Sequence, residues 1–211
     1  MEAFDVDRVL HRLADGRVRT VQCSWRAGEE KEELAAKLYQ PDEADMFARE
    51  VAHMRALKAA ACTPKLKHVF ELPPLRVMVT QLGMPLPEYV RVLKREGATI
   101  AKRVALLQEI GDKLIELHKH GLVHNDFKAS QVVLLGIAHT PCLIDLDACR
   151  AVGDALPPQT TVVYAPPEVL QAHRDGAAKQ TKCMVKHDIW AFGKHTFSEC
   201  QPNLLRKVQF F

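Results

Sequence analysis

Asp145 and Asp147 stand two residues apart at the end of an apolar run, in CLIDLDAC. On an extended backbone residues i and i+2 project to the same side. Both carboxylates would then leave the strand end together, and hard oxygen ligands of that kind suit Mg²⁺. Aspartates after a strand also close turns through Asx hydrogen bonds, and on these residues alone both readings stay open. A second group lies in GLVHNDFKASQVVL, residues 121–134, where His124, Asp126, Lys128 and Gln131 stand between two apolar runs. A polar loop between a helix and a strand is aimed at whatever the strand ends face, which makes these four a candidate catalytic loop. Lys37 and Glu50 form a third group, because each sits among neighbours that predict burial. Lys37 shares a strand face with Ala35 and Tyr39, and Glu50 lies three and four residues from Phe47 and Met54 on a helix. Burying either charge alone is costly. An ion pair relieves both penalties and leaves a lysine able to donate to phosphate oxygens, whereas on a surface the two side chains would simply snorkel.

The elements that must position these groups are readable from periodicity. RVRTVQCSWR, residues 17–26, alternates like a strand, and ELAAKLY, residues 33–39, is a second one. An acidic start then leads into an amphipathic helix with Phe47, Val51, Met54 and Ala56 or Leu57 at helical spacing. KLKHVFEL and LRVMVTQL flank Pro73 and Pro74 as two strands around a tight turn, and Gly83, Pro85 and Pro87 mark a short linker. Beyond it Ile100, Val104, Leu107, Leu114 and His118 outline one face of a long helix that ends near Gly121. VVLL and CLIDLDAC supply short strands around a turn. PPEVLQAH and HDIWAFGKHTFSEC read as helices, the second stopped by Pro202.

Composition narrows the function classes. With 47% hydrophobic and 26% charged residues the 211-residue chain is of ordinary globular type, and a net charge of +3 with interleaved acids argues against nucleic acid or membrane as a partner. The first twenty residues lack the apolar core of a signal peptide, so a cytosolic (cytoplasmic) address is expected. Cys23, Cys62, Cys142, Cys149, Cys183 and Cys200 contain no CxxC pair and read as free thiols.

Taken in order, the segments resemble the eukaryotic protein kinases. HNDFKASQV is similar to the catalytic loop H-R-D-L-K-x-x-N, LIDLDA to the strand and D-F-G segment, and YAPPEVL to the A-P-E end of the activation segment. HDIWAFG resembles the D-x-W-S-F-G helix, ELAAKLY the V-A-I-K strand, and FAREVAHM the helix that bears its glutamate partner. The resemblance implies an α+β, two-lobed fold: a small β-rich lobe with one main helix over residues 1–82, a hinge at 83–87, and a mostly helical, incomplete larger lobe over 88–211. It implies transfer of a phosphoryl group from ATP, with Mg²⁺, to serine or threonine hydroxyls of a protein substrate, the serine/threonine preference resting on Lys128 two residues past Asp126. In that frame Asp126 accepts the hydroxyl proton and Lys128 steadies the transferring phosphate. Lys37, paired with Glu50, holds the α and β phosphates, and Asp145 and Gln131 bind the metal. Thr80 falls at the gatekeeper position, so the backbone of Gln81 and Gly83 is expected at the adenine edge. Asp188 would fasten the catalytic loop, and His124, Leu146 and Met54 would stack as an apolar spine. Thr160, Thr161 and Tyr164 are the hydroxyls of the activation segment.

The departures from the family pattern are specific. Where it has a glycine-rich phosphate loop this chain offers only Gly16. Gln131 replaces the metal-binding asparagine, Asn125 the arginine that reads an activation-segment phosphate, and Asp147 the glycine of D-F-G. Only 18 residues follow Gly193, so the resemblance implies a truncated lobe, a fragment with exposed apolar surface that a partner could cover, and no family arginine for Glu168 except Arg206. These features keep a second reading open: a pseudokinase, holding nucleotide or acting as a scaffold without transfer.

Overall fold

Strand-forming sequence fills most of the first 81 residues. In the computed structural model, which describes residues 2–27, 30–158 and 160–200, it builds one five-stranded antiparallel sheet. Its strands are β1 (Glu2–Arg12), β2 (Val18–Ala27), β3 (Glu30–Tyr39), β4 (Leu66–Leu72) and β5 (Leu75–Gln81), in the order β1-β2-β3-β5-β4. β1 was not expected from the sequence. Register shifts between Val6 and Arg8 and between Val9 and His11 break its alternation, as bulges do, and Val6 and Val9 remain exposed. Phe4 on β1 nevertheless meets His68 and Phe70 on β4, the opposite edge strand, with ring centroids 5.2 and 5.4 Å apart. The sheet is therefore strongly curled.

The two faces of β3 do different work. Leu34 and Ala36 point into a small core with Val21, Cys23 and Val79. Tyr39, on the face shared with Ala35 and Lys37, joins Met78 against α1 (Ala44–Ala56). Phe47, Glu50, Val51 and Met54 are the buried residues of that helix, the face its spacing predicts.

Residues 83–87, expected as a linker, form strand β6 (Met84–Pro85) and the first turn of helix α2 (Leu86–Arg95). Pro87 sits where a helix has no N–H to lose. Gly83 lies so close to the following part of the chain that an added Cβ would fall 2.8 Å from the Val133 Cβ. β6 pairs with β8 (Val132–Leu135), which pairs with β9 (Thr140–Leu143). Helix α3 (Ile100–Lys119) starts on the Thr99 cap, whose Oγ1 accepts the Lys102 N–H at 3.2 Å. The helix is where the periodicity placed it, but its buried face is not. Ile110, Leu114 and Leu117 are buried, whereas Ile100 and Val104 are exposed, because α3 packs on β9, on β7 (Leu122–Val123) and on α5 (Val185–Cys200), which do not cover its first turns.

β7 pairs with β10 (Arg150–Ala151), and α4 (Pro167–Arg174) follows. The main core runs without a break from Tyr39 and Met54 through Ile110 and Leu114 to Val132, Leu143 and Leu146. The architecture is thus α+β, β-rich first and mostly helical later. Cys23, Cys62, Cys142, Cys149 and Cys183 are buried and unpaired. Pro202 and Arg206 lie outside the described residues.

Candidate active site

Strand alternation carries Lys37 toward α1, and helical spacing turns Glu50 to meet it. Lys37 Nζ donates to Glu50 Oε2 at 2.6 Å and also to Asp145 Oδ1. Burial works against the Lys37 ammonium, but Glu50 and Asp145 outweigh it and raise the lysine well above its ordinary value. Burial alone would push the Asp145 carboxyl up; Lys37 and the Gln131 amide instead hold it well below the usual carboxylate range. Glu50, 1% exposed, is bonded on both oxygens. Oε2 also accepts the Tyr39 hydroxyl at 2.6 Å, and Oε1 accepts the Leu146 N–H at 3.2 Å. So complete a set of donors is what a buried carboxylate needs to remain charged.

Asp145 and Asp147 do not leave an extended strand end together. Asp145 is left-handed, with φ 64° and ψ 60°, and Leu146–Ala148 form a single 3₁₀ turn. The reversal draws Leu146 wholly into the core, and α1 satisfies the turn's backbone. Besides the Glu50 bond, His53 Nδ1 lies 3.4 Å from Leu146 O, and Arg49 and Arg150 donate to Asp147 O at 3.4 and 3.1 Å. Even so, carboxylate oxygens of Glu50, Asp145 and Asp147 come within 4.8 Å of one another. Burial and the Asp145 charge push the Asp147 carboxyl up to about 6. With Glu50 consumed by its three donors, Asp145 and Asp147 are the oxygen ligands left for a divalent cation, and the like charge between them is what a cation would relieve. Hard carboxylate oxygens of this kind fit a divalent metal. Gln131, despite its extra methylene, reaches Asp145: its Nε2 donates to Oδ2 at 2.7 Å.

The backbone of the 121–134 loop is held by α5. Asp188, on the first turn of α5, accepts the backbone N–H of His124 at 2.7 Å and of Asn125 at 2.9 Å, and contacts His118 Nε2 at 2.8 Å. Asn125 is left-handed, a conformation asparagine tolerates. Its side chain donates to Val123 O and Ala148 O, tying the loop to the aspartate turn. His124 is fully buried with Nε2 3.2 Å from Ile144 O, and Met54 and Leu146 share the main core.

Asp126, Lys128 and Thr161 close a triangle. Lys128 Nζ donates to Asp126 Oδ2 at 2.6 Å and to Thr161 Oγ1 at 3.0 Å, while the Thr161 hydroxyl donates to Asp126 Oδ1 at 2.5 Å. Backbone links join this group to the first: Gln131 N donates to Lys128 O, and Ile144 N to Gln131 O, both at 2.9 Å. The structure thus brings together Lys37, Glu50, Asp145 and Gln131 in one network and Asp126 and Lys128 in its neighbour.

The remaining expected residues make contacts of their own. Thr80 pairs with Ala35 across β3, Gln81 N donates to Lys65 O at 3.1 Å, and Gly83 packs on Val133. Where the resemblance leads one to expect a phosphate loop, the β1–β2 hairpin closes on itself, with Leu13 N bonded to Arg17 O and Asp15 paired with Arg17. Glu168 has a partner that does not come from the chain's end, Lys186 at 2.9 Å. Two participants were not foreseen. Thr161 enters as a ligand of Asp126, which spacing cannot reveal, and Tyr39 binds Glu50, for which its place two residues from Lys37 on one strand face was the available signal.

Comparison with known proteins gives the family. The family model described as the protein kinase domain matches residues 10–201. Over 93 residues, 42% of the chain, the sequence is 32% identical to the serine/threonine-protein kinase SMU1 of Mycosarcoma maydis, of which the match spans 11%. The chain covers a small part of that relative's length. A domain match across nearly the whole chain, on residues that assemble as described, places the protein in the protein kinase family.

Proposed function

We propose that the chain carries out phosphoryl transfer from ATP, with Mg²⁺, to serine or threonine hydroxyls of a protein. The observation that carries the reading is the Thr161 triangle: Asp126 already accepts a hydroxyl proton bond and Lys128 already donates to the same hydroxyl oxygen. A substrate alcohol in that place would find a base for its proton and a cation beside its oxygen. In this reading residues 1–82 are the smaller lobe, 83–87 the hinge and 88–211 the larger lobe. Thr80, Gln81 and Gly83 border the adenine, and buried free thiols suit the reducing cytosol.

Each residue then has a task. Lys37, held by Glu50, donates to the α and β phosphate oxygens. Asp145, with Asp147 and Gln131 beside it, would hold the Mg²⁺, which when bound neutralises charge on the phosphates. Asp126 takes the proton as the acceptor oxygen bonds to the γ-phosphorus and the bridging oxygen leaves with the diphosphate. Lys128 balances the charge on the transferring group. Asp188 keeps the loop backbone in register for both.

A second reading, a scaffold that transfers nothing, is favoured by one observation: where a glycine-rich phosphate loop is expected, the β1–β2 hairpin closes on itself, with Leu13 N bonded to Arg17 O and Asp15 paired with Arg17. Thermal unfolding with ATP, with and without Mg²⁺, separates the kinase reading from a scaffold that holds no nucleotide, and the transfer assay separates it from one that does. The kinase reading expects a stabilisation that depends on Mg²⁺ and is lost in Asp145→Asn; no shift in either condition favours the scaffold.

A further inference from the structure

A buried tyrosine hydroxyl needs a partner, but the partner need not be part of an active site. Here it is the Glu50 oxygen that Lys37 also uses. We propose that Tyr39 is a positioning residue for the Lys37–Glu50 pair, its phenol keeping the Glu50 carboxylate in place while Lys37 serves phosphate oxygens. The inference rests on the nucleotide-binding reading above.

Lys37 has three N–H donors, and two already go to Glu50 and Asp145. When phosphate oxygens draw the ammonium toward themselves, Glu50 Oε2 loses part of its charged donor, and at 1% exposure Glu50 has almost no water to replace it. A carboxylate left short there would turn toward another donor and take the lysine out of line. Tyr39 supplies a neutral donor that no phosphate competes for. Its hydroxyl cannot drift, because the ring is itself clamped. The ring is fully buried, Phe47 meets it edge-on at 5.2 Å, and the Arg19 guanidinium lies 4.7 Å over it. Arg19 is in turn fixed by Glu43 at 2.6 Å and by Leu38 O at 3.1 Å. Strand β2 is thereby connected to the glutamate on α1 through the tyrosine of β3. Period-two alternation puts Lys37 and Tyr39 on the same face, so the strand that presents the lysine also presents the side chain that steadies its partner.

Tyr39→Phe keeps the ring, its packing and the cation above it, and removes only the donor. The dissociation constant for ATP with Mg²⁺, measured by titration calorimetry on the full chain, is expected to rise about tenfold, the scale of a hydrogen bond to a charged group. In a Glu50→Gln background the same substitution should change it less than twofold, and the Tm shifts of the two single variants should not add in the double variant. A purely packing role gives additive shifts and unchanged binding. Tyr39→Phe binding the nucleotide as the parent does overturns the proposal, and that single variant suffices if Glu50→Gln does not fold. A parent chain that binds no ATP with Mg²⁺ overturns the nucleotide reading, and this inference with it.

Discussion

The Lys37–Glu50–Tyr39 network and the Asp126–Lys128–Thr161 triangle each pair a lysine and a carboxylate beside a hydroxyl, yet they sit in different surroundings. Glu50 is 1% exposed and Lys37 13%, with every carboxylate oxygen of Glu50 bonded, whereas Asp126 and Lys128 keep 19% and 23% of their side-chain surface open. Buried charges are tolerated only when fully partnered, and removing one partner strands the others. Charges at the rim of a cleft keep water as an alternative partner. The first network therefore belongs to the fold as much as to the chemistry, and the second can be altered while the fold stands.

Substitutions can break this contrast. The largest effect is expected from Glu50→Ala, which leaves Lys37 and Tyr39 without their shared acceptor: a loss of about 3–5 kcal/mol in chemical denaturation. If Glu50→Ala unfolds no more easily than the parent, the buried network is not structural. A smaller effect is expected at Asp147. Its carboxyl is raised in the folded protein to about 6 from an ordinary 3.8. The folded state therefore binds the proton more tightly than the unfolded one, and the contribution is full below about pH 4 and fades as pH rises through 6. Without divalent cation, Asp147→Asn should remove that decline and stabilise the protein at pH 7.5 by on the order of 1–2 kcal/mol, with little change at pH 4. Equal gains at both pH values would contradict the cause assigned to the shift. Thr161→Val should cost about 1 kcal/mol, one hydrogen-bonding hydroxyl. The smallest change in stability is expected for Asp126→Asn, within about 0.5 kcal/mol of the parent by denaturant unfolding, since Lys128 and Thr161 retain solvent.

How far the sequence could be read follows the same contrast. The burial of Glu50 between Phe47 and Met54, and of Lys37 on a half-apolar strand, was legible because both depend on local periodicity. The Asp145–Asp147 geometry was not: a non-glycine residue in the left-handed region is imposed by Leu146 being drawn inward and by Glu50, Arg49 and His53 binding the turn from another helix. β1 escaped because bulges break its alternation, and α2 because Pro85 and Pro87 read as linker although a helix's first turn accepts proline. On α3 the period was right, but which stretch is buried depends on how far its packing partners extend. Thr161 reaches Asp126 across 35 positions, a pairing that only the folded chain displays.

The central claim is that Asp126 and Asp145 work on one phosphoryl transfer. Single-turnover incorporation of labelled γ-phosphate from ATP with Mg²⁺ into a serine/threonine peptide, by the parent chain, Asp126→Asn and Asp145→Asn, tests it most directly. The account predicts transfer by the parent, a loss of at least about 100-fold in Asp126→Asn, and none in Asp145→Asn. Incorporation that persists unchanged in either variant, or is absent from a folded parent that binds the nucleotide, would contradict it.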